Sequence, residues 1–168
     1  MRSKLRFLLI PLIFTASLFA EPLALGAELP KVSCKDQNGN LVTLTDYSAE
    51  PWLLVYFYPK ANTSGCTKQA CSLRDSYADL EKANVKVIGV SKDKVKSQKS
   101  FTDKHKLPFT LLADLDTKVI QSFGVSQIPG IGLAKRQAFL FKQGKLEWRD
   151  LKASTKQQAA DVLEQISK

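Results

Sequence analysis

Two cysteines, Cys66 and Cys71, lie five positions apart and are the side chains best suited to redox chemistry in this chain. The third cysteine is Cys34, and three cysteines are too few for a disulfide scaffold. With a single histidine, His105, a tetrahedral zinc site is hard to assemble. A closely spaced pair in a chain long enough to bury its own core therefore favours a redox role over a structural bridge.

Cys66 is a good nucleophile only as a thiolate, and an ordinary pKa of about 8.5 leaves only a few per cent ionised near neutrality. The chain before Cys66 forms a turn that ends in Gly65, which predicts that Cys66 lies in the first turn of a helix. Unpaired backbone amides and the helix dipole favour an anion there. Thr63 adds a hydroxyl that can donate to the thiolate or to a bound oxygen atom. A cation would complete the site, and we favour an arginine because His105, at the end of a lysine-rich helix, is predicted to be a solvated surface residue.

Strands and helices are predicted to alternate along the chain. Residues 52–58 are continuously apolar and aromatic, which predicts a buried strand that ends at Pro59. From Cys66 to about residue 83, apolar residues recur every three or four positions, which predicts one helix. The other predicted elements are strands at 41–44, 85–90 and 109–112, helices at 94–106, 118–123 and 154–166, and a hairpin of strands at 137–141 and 145–148.

This order of elements predicts an α/β fold with a central mixed β-sheet and helices on both faces. The thioredoxin-like fold is the leading candidate. In such sheets the reactive groups gather beyond the carboxyl end of a central strand, where the following helix begins. Cys66 lies at that junction.

Residues 1–27 have the layout of a cleaved signal peptide, with three basic residues before an apolar run and a small-residue site that ends at Ala27. A cut after Ala20 is also compatible with the sequence. A membrane anchor is the alternative, but Pro11 interrupts an apolar run of about fourteen residues, short of the roughly twenty that span a bilayer. We therefore expect one domain at residues 28–168, without a stable membrane anchor, in the periplasm, the thylakoid lumen or the extracellular space.

The chain is basic, with a net charge of +9, and six of its lysines lie between Lys92 and Lys106. These lysines alternate with acidic residues and serines rather than with stacking aromatics, which indicates a solvated helix face and no nucleic-acid partner. An acidic protein would fit the same surface. One alternative function is therefore a binding protein that uses this face without thiol turnover.

The residues around Cys66 resemble the active-site signature of peroxiredoxins, and the match is closest to the bacterioferritin-comigratory-protein, or Q-type, branch. The family pattern of a proline, a threonine and a peroxidatic cysteine is met by Pro59, Thr63 and Cys66. Cys71 takes the position of the resolving cysteine. Arg136, which immediately precedes a predicted strand, matches the family arginine that contacts the thiolate and the peroxide.

Two positions depart from the family pattern. Ser64 stands where the family commonly has proline, and Cys34 stands where it commonly has an apolar residue. Neither departure removes a catalytic group. Cys34 could be an inert buried thiol, which we favour, a second resolving cysteine or a link to another chain.

The resemblance implies a thioredoxin-dependent peroxidase that reduces hydrogen peroxide and organic hydroperoxides. Cys66 would become a sulfenic acid, Cys71 would resolve it as a transient intramolecular disulfide, and a thioredoxin-like reductant would recycle the enzyme. We expect a monomer that needs no cofactor and no metal.

On an intact helix the α-carbons of Cys66 and Cys71 are roughly 8.6 Å apart, whereas a disulfide tolerates at most about 7 Å. The first turns of the helix must therefore unwind in each cycle, and a permanent bridge is disfavoured.

The competing enzymatic function is an exported protein thiol–disulfide oxidoreductase, which would share the fold. Such enzymes usually have two cysteines separated by two residues, whereas four residues separate Cys66 from Cys71. Peroxide-dependent oxidation of thiols would distinguish the two activities.

Overall fold

Seven strands and five α-helices alternate along residues 21–168, the part of the chain that the computed structural model describes. The strands are β1 (Ser33–Lys35), β2 (Leu41–Thr43), β3 (Trp52–Phe57), β4 (Val85–Ser91), β5 (Thr110–Ala113), β6 (Gln137–Lys142) and β7 (Lys145–Asp150). The α-helices are α1 (Ser64–Asp75), α2 (Tyr77–Lys82), α3 (Val95–His105), α4 (Lys118–Ser122) and α5 (Gln158–Ile166), and a short 3₁₀ helix covers Leu44–Tyr47. Among the helices of residues 21–168, none is both long enough and apolar enough to cross a membrane.

The main sheet has five strands in the order β5-β4-β3-β6-β7. Strand β3 pairs in parallel with β4, and β4 pairs in parallel with β5. On its other side β3 pairs antiparallel with β6, which forms a hairpin with β7. The predicted mixed sheet is confirmed. Its central strand, β3, leads directly to the cysteine loop, residues 58–63, which precedes Cys66.

Two buried clusters cover the two faces of this sheet. Successive residues of β3 alternate between them, because neighbouring side chains of a strand point to opposite faces. One cluster contains Leu54 and Tyr56 with side chains from α1, α2, α3 and α5. The other contains Leu53 and Val55 with side chains from α4, β1 and the 3₁₀ helix. Helices therefore lie on both faces, as predicted.

The structure differs from the sequence prediction in three local features. The single helix predicted from Cys66 to about residue 83 is two helices, α1 and α2, because Ser76 leaves helical geometry at φ −99° and ψ 10°. The apolar spacing continues across this break and does not reveal it. Strand β1 was not predicted, since it has only three residues and buries only Cys34. The last helix begins at Gln158, four residues later than expected.

Residues 22–27, at the end of the predicted signal peptide, pack against the domain, whereas residues 1–20 of that segment lie outside the described part. The backbone N–H of Leu23 donates to Phe123 O at 3.0 Å, and the N–H of Gly26 donates to Leu146 O at 2.8 Å. Arg149 Nη1 donates to Pro22 O at 2.9 Å. This segment is therefore hydrogen-bonded to the loop after α4 and to β7.

Candidate active site

Cys66 lies in the first turn of α1, just beyond the carboxyl end of β3, and its side chain is 2% exposed. The helix begins at Ser64, after Thr63 in an extended conformation. Because the first amides of a helix have no partner within the helix, they are available to an anion at this position. The main chain thus places a buried thiol at the amino-terminal end of α1.

Arg136 brings a positive charge to the sulfur. Its Nη2 donates to Cys66 Sγ at 3.6 Å, although the two residues are 70 positions apart. Its Nη1 donates to the side-chain carbonyl of Gln69, whose amide in turn donates to Gln158 Oε1. A β-carbon on Gly65 would lie 3.2 Å from Arg136 Nη2, so the glycine allows the guanidinium to approach closely. The arginine lies immediately before β6, as predicted.

Sequence reasoning did not identify Gln69 and Gln158 as part of the site. Both side chains are buried, and they connect α1 to α5 behind the guanidinium. Gln69 lies three residues after Cys66 on the buried face of α1, and a polar residue on such a face is the signal that could have revealed it. Gln158 carries no comparable signal, because only the docking of α5 on α1 brings it near.

Thr63 and Pro59, which were also predicted, lie in the chain segment that leads to Cys66. Thr63 is exposed, and its hydroxyl donates to Lys60 O at 2.9 Å rather than to the sulfur. Pro59 is half-buried and directly follows Tyr58. The structure therefore places Arg136 in contact with Cys66, while Thr63 contacts the loop backbone.

A buried polar network holds the loop that precedes Cys66. Asp93 Oδ2 accepts a hydrogen bond from the backbone N–H of Ala61 at 2.8 Å and another from the Ser91 hydroxyl at 2.7 Å. Gln98 Nε2 donates to Ser91 Oγ at 2.9 Å, and Tyr58 donates its phenolic proton to Gln98 Oε1. The sequence did not indicate this network, which ties the cysteine loop to the carboxyl end of β4 and to α3.

Tyr56 places a second phenol near the thiols. Burial raises its pKa well above the ordinary value, and the nearby Tyr58 and Cys66 raise it further. Its hydroxyl is buried without a hydrogen-bond partner in the described residues. Tyr56 is therefore a neutral donor close to the site.

Cys71 is half-buried near the middle of α1, and neither it nor Cys66 is in a disulfide. Since α1 is continuous from Ser64 to Asp75, the two α-carbons have the roughly 8.6 Å separation of an ideal helix. Cys71 Sγ lies 4.0 Å from His105 Nδ1. The prediction that His105 is a solvated surface residue is wrong, because its ring is half-buried between Cys71 and Phe101.

Cys34 lies in the buried cluster on the opposite face of the sheet from Cys66. Its thiol contacts the carbonyl of Lys35 at 3.7 Å. Burial, together with the carboxylate of Asp114, raises its pKa to about 12. These features favour the inert buried thiol among the three roles considered for Cys34.

Comparisons with known proteins identify the family of this chain. Residues 25–149 match the model of the AhpC/TSA family. Peroxiredoxin Bcp of Escherichia coli strain K12 is 51% identical over 104 residues, which cover 62% of this chain and 66% of that protein. The chloroplastic peroxiredoxin Q of Suaeda salsa is 42% identical over 132 residues, which cover 79% of this chain and 61% of that protein. The alignments thus span just under two thirds of the relatives' own lengths.

Solved structures give the same result for the fold. A cysteine mutant of PrxQ from Xylella fastidiosa has a TM-score of 0.80 and 26% identity, and the match covers 88% of this chain and 97% of that one. The bacterioferritin comigratory protein of Xanthomonas campestris has a TM-score of 0.76 and 28% identity over 86% of this chain and 98% of that one. The predicted thioredoxin-like fold is therefore confirmed. Because the family model matches three quarters of the length of the chain, the chain belongs to the AhpC/TSA family, alongside Bcp and peroxiredoxin Q proteins.

Proposed function

We propose that the protein is a thiol-dependent peroxidase that reduces hydrogen peroxide and organic hydroperoxides. The observation that carries this proposal is the contact between Arg136 and the buried sulfur of Cys66 at the first turn of α1. The guanidinium and the free helix amides are hydrogen-bond donors that can bind the oxygen that leaves. The bacterioferritin comigratory protein of Xanthomonas campestris, which shares the fold, has alkyl peroxide reduction activity.

In the first step, the Cys66 thiolate attacks the terminal oxygen of the hydroperoxide. The S–O bond forms as the O–O bond breaks, and the departing oxygen takes a proton to leave as water or an alcohol. Arg136 is the residue placed to stabilise charge on that oxygen. Thr63, whose hydroxyl now donates to Lys60 O, would have to rotate to reach the peroxide.

In the second step, Cys71 resolves the sulfenic acid of Cys66 as a disulfide with loss of water. Because the intact α1 keeps the two residues too far apart for a disulfide, the first turns of the helix must open. With the helix opened, the Cys66–Cys71 disulfide would be accessible to a thioredoxin-like reductant.

We further propose that the protein is exported after signal-peptide cleavage and acts as a monomer.

The test is peroxide consumption by the purified protein with a thioredoxin system, in wild type and in cysteine-to-serine variants at all three positions. We expect Cys66→Ser to abolish turnover and Cys71→Ser to leave Cys66 as a sulfenic acid or a mixed disulfide, detected by mass spectrometry. Cys34→Ser is the matched control and should retain wild-type turnover. A wild-type protein that ignores peroxides yet oxidises or reduces protein disulfides would instead support the oxidoreductase alternative.

A further inference from the structure

The resolving cysteine has a histidine neighbour that the peroxidase mechanism above does not use. Cys71 Sγ and His105 Nδ1 are 4.0 Å apart, within reach of a long sulfur hydrogen bond, although they lie on different helices. Arg74 Nη1 donates to the backbone carbonyl of His105 at 2.8 Å and so fixes the end of α3 against α1. Phe101 packs against the imidazole edge-on, with ring centroids 5.2 Å apart. Arg74 thus fixes the backbone of His105, and Phe101 packs against its ring, beside the sulfur of Cys71.

The surroundings of His105 favour its neutral form. Burial lowers its pKa below the ordinary 6.5, and the positive charges of Lys104 and Arg74 lower it further. On the side of α1, the groups facing it are the Cys71 thiol and Arg74, whose guanidinium also binds Asp75. A neutral imidazole in the tautomer protonated at Nε2 has a free acceptor at Nδ1, the atom that points at Cys71.

We propose that His105 is the general base of the resolving step, an inference that rests on the proposed peroxidase function. Nδ1 of His105 takes the proton of the Cys71 thiol, and the resulting thiolate attacks the sulfur of the Cys66 sulfenic acid. The S–S bond forms as the S–O bond of Cys66 breaks, and the departing hydroxide takes the proton back from His105 to leave as water. The reaction needs no further oxidant, because the sulfenic acid already holds the oxidising equivalents of the peroxide.

This role requires Cys71 to stay beside His105 while Cys66 moves, and the packing of α1 fits that order. Beyond Cys71, Leu73 is fully buried, and the Ser72 hydroxyl donates to Lys156 O at 2.9 Å. At the other end, Ser64 is exposed and Thr63 makes no side-chain cap hydrogen bond to the helix. Oxidation of Cys66 also removes the thiolate charge that attracts Arg136. The first turn of α1 is therefore the part that opens, and it carries Cys66 towards a Cys71 held in place.

The experiment separates the two steps in single-turnover reactions with hydrogen peroxide, quenched at intervals and analysed by mass spectrometry. The first rate is the appearance of Cys66 sulfenic acid, trapped with a dione reagent, and the second is the appearance of the Cys66–Cys71 disulfide. The proteins are wild type, His105→Gln, His105→Ala for rescue by added imidazole, and Lys96→Gln, a matched control that changes an exposed residue of the same helix. Each rate is measured between about pH 5 and about pH 8.

We expect His105→Gln to form the sulfenic acid at the wild-type rate and the disulfide about tenfold more slowly near neutral pH, because no base would then lie beside the Cys71 sulfur to take its proton. In wild type, disulfide formation should fall as the pH drops through the His105 pKa, below 6.5. The rate of disulfide formation in His105→Gln should not show this fall, whereas the rate in Lys96→Gln should show it. Added imidazole should restore the disulfide rate of His105→Ala.

Three results would overturn the inference. If wild type forms sulfenic acid and His105→Gln forms the disulfide at the wild-type rate and pH dependence, the histidine is not the base, and the peroxidase function is unaffected. The same conclusion follows if resolution is slowed but imidazole fails to rescue His105→Ala, since the histidine then acts through packing alone. If wild type forms no sulfenic acid with peroxide, the proposed function fails and the inference fails with it.

Discussion

The loop that leads to Cys66 depends on one buried carboxylate, and removing that carboxylate should affect both stability and reactivity. Asp93 is 9% exposed, and its Oδ2 accepts hydrogen bonds from the Ala61 N–H and the Ser91 hydroxyl. In Asp93→Ala both donors lose their charged acceptor while they remain buried. A buried donor left without a partner costs about 1–3 kcal/mol. We therefore expect the free energy of unfolding to fall by about 2–4 kcal/mol.

The same substitution should slow the oxidation of Cys66. The loop at residues 58–63 would lose its tie to the carboxyl end of β4, and small displacements of a nucleophile reduce its rate substantially. We expect a decrease of about tenfold in the second-order rate with hydrogen peroxide. Stability is measured by denaturant unfolding and reactivity by stopped-flow kinetics.

The control is Asp103→Ala, which removes an exposed carboxylate paired with Lys99 on α3. An exposed ion pair contributes at most about 1 kcal/mol. If Asp93→Ala unfolds at the same denaturant concentration as Asp103→Ala and reacts with peroxide as fast as wild type, the network does not hold the loop.

Three further predictions concern other parts of the molecule. Gly65→Ala should slow Cys66 oxidation about threefold to tenfold, because its β-carbon displaces Arg136; unchanged kinetics would contradict this. Cys34 should resist alkylation in the folded protein. Its pKa is about 12 when folded and about 8.5 when unfolded, so between about pH 8.5 and about pH 10 wild type should lose more stability than Cys34→Ala. A chain that begins at Glu28 should be about 2–4 kcal/mol less stable than one that begins at Glu21, because it lacks the hydrogen bonds of residues 22–27. Equal unfolding midpoints would show that the segment adds nothing, and N-terminal sequencing of the protein isolated from its native cells would show whether a signal peptide is removed and whether the cut follows Ala20 or Ala27.

Most of the main sheet and its helices was predictable from the sequence, because their signals are local. An apolar run such as that of β3, or apolar residues every three or four positions in α1, reports the period of a strand or a helix directly. The break at Ser76 escaped detection because the buried face continues on both sides of it. Strand β1 escaped because a three-residue segment has no resolvable period.

Within the candidate site, the sequence by itself determined the position of Cys66. A strand, a turn and a helix in succession place the thiol at the first turn, whatever the rest of the chain does. The spacing of Cys66 and Cys71 also determined that an intact helix holds them apart, because five residues of helix have a known rise and rotation. Arg136 was identified only because its position matched a family pattern.

Only the tertiary structure decided which distant side chains meet these two sulfurs. Gln158 reaches Gln69 because α5 packs on α1, and His105 reaches Cys71 because α3 and α1 lie on the same face of the sheet. Residues that are tens of positions apart share no local period, so their contacts depend on strand order and helix packing rather than on neighbouring sequence. The sequence therefore specified the position of Cys66, and the fold specified which side chains lie beside the two sulfurs.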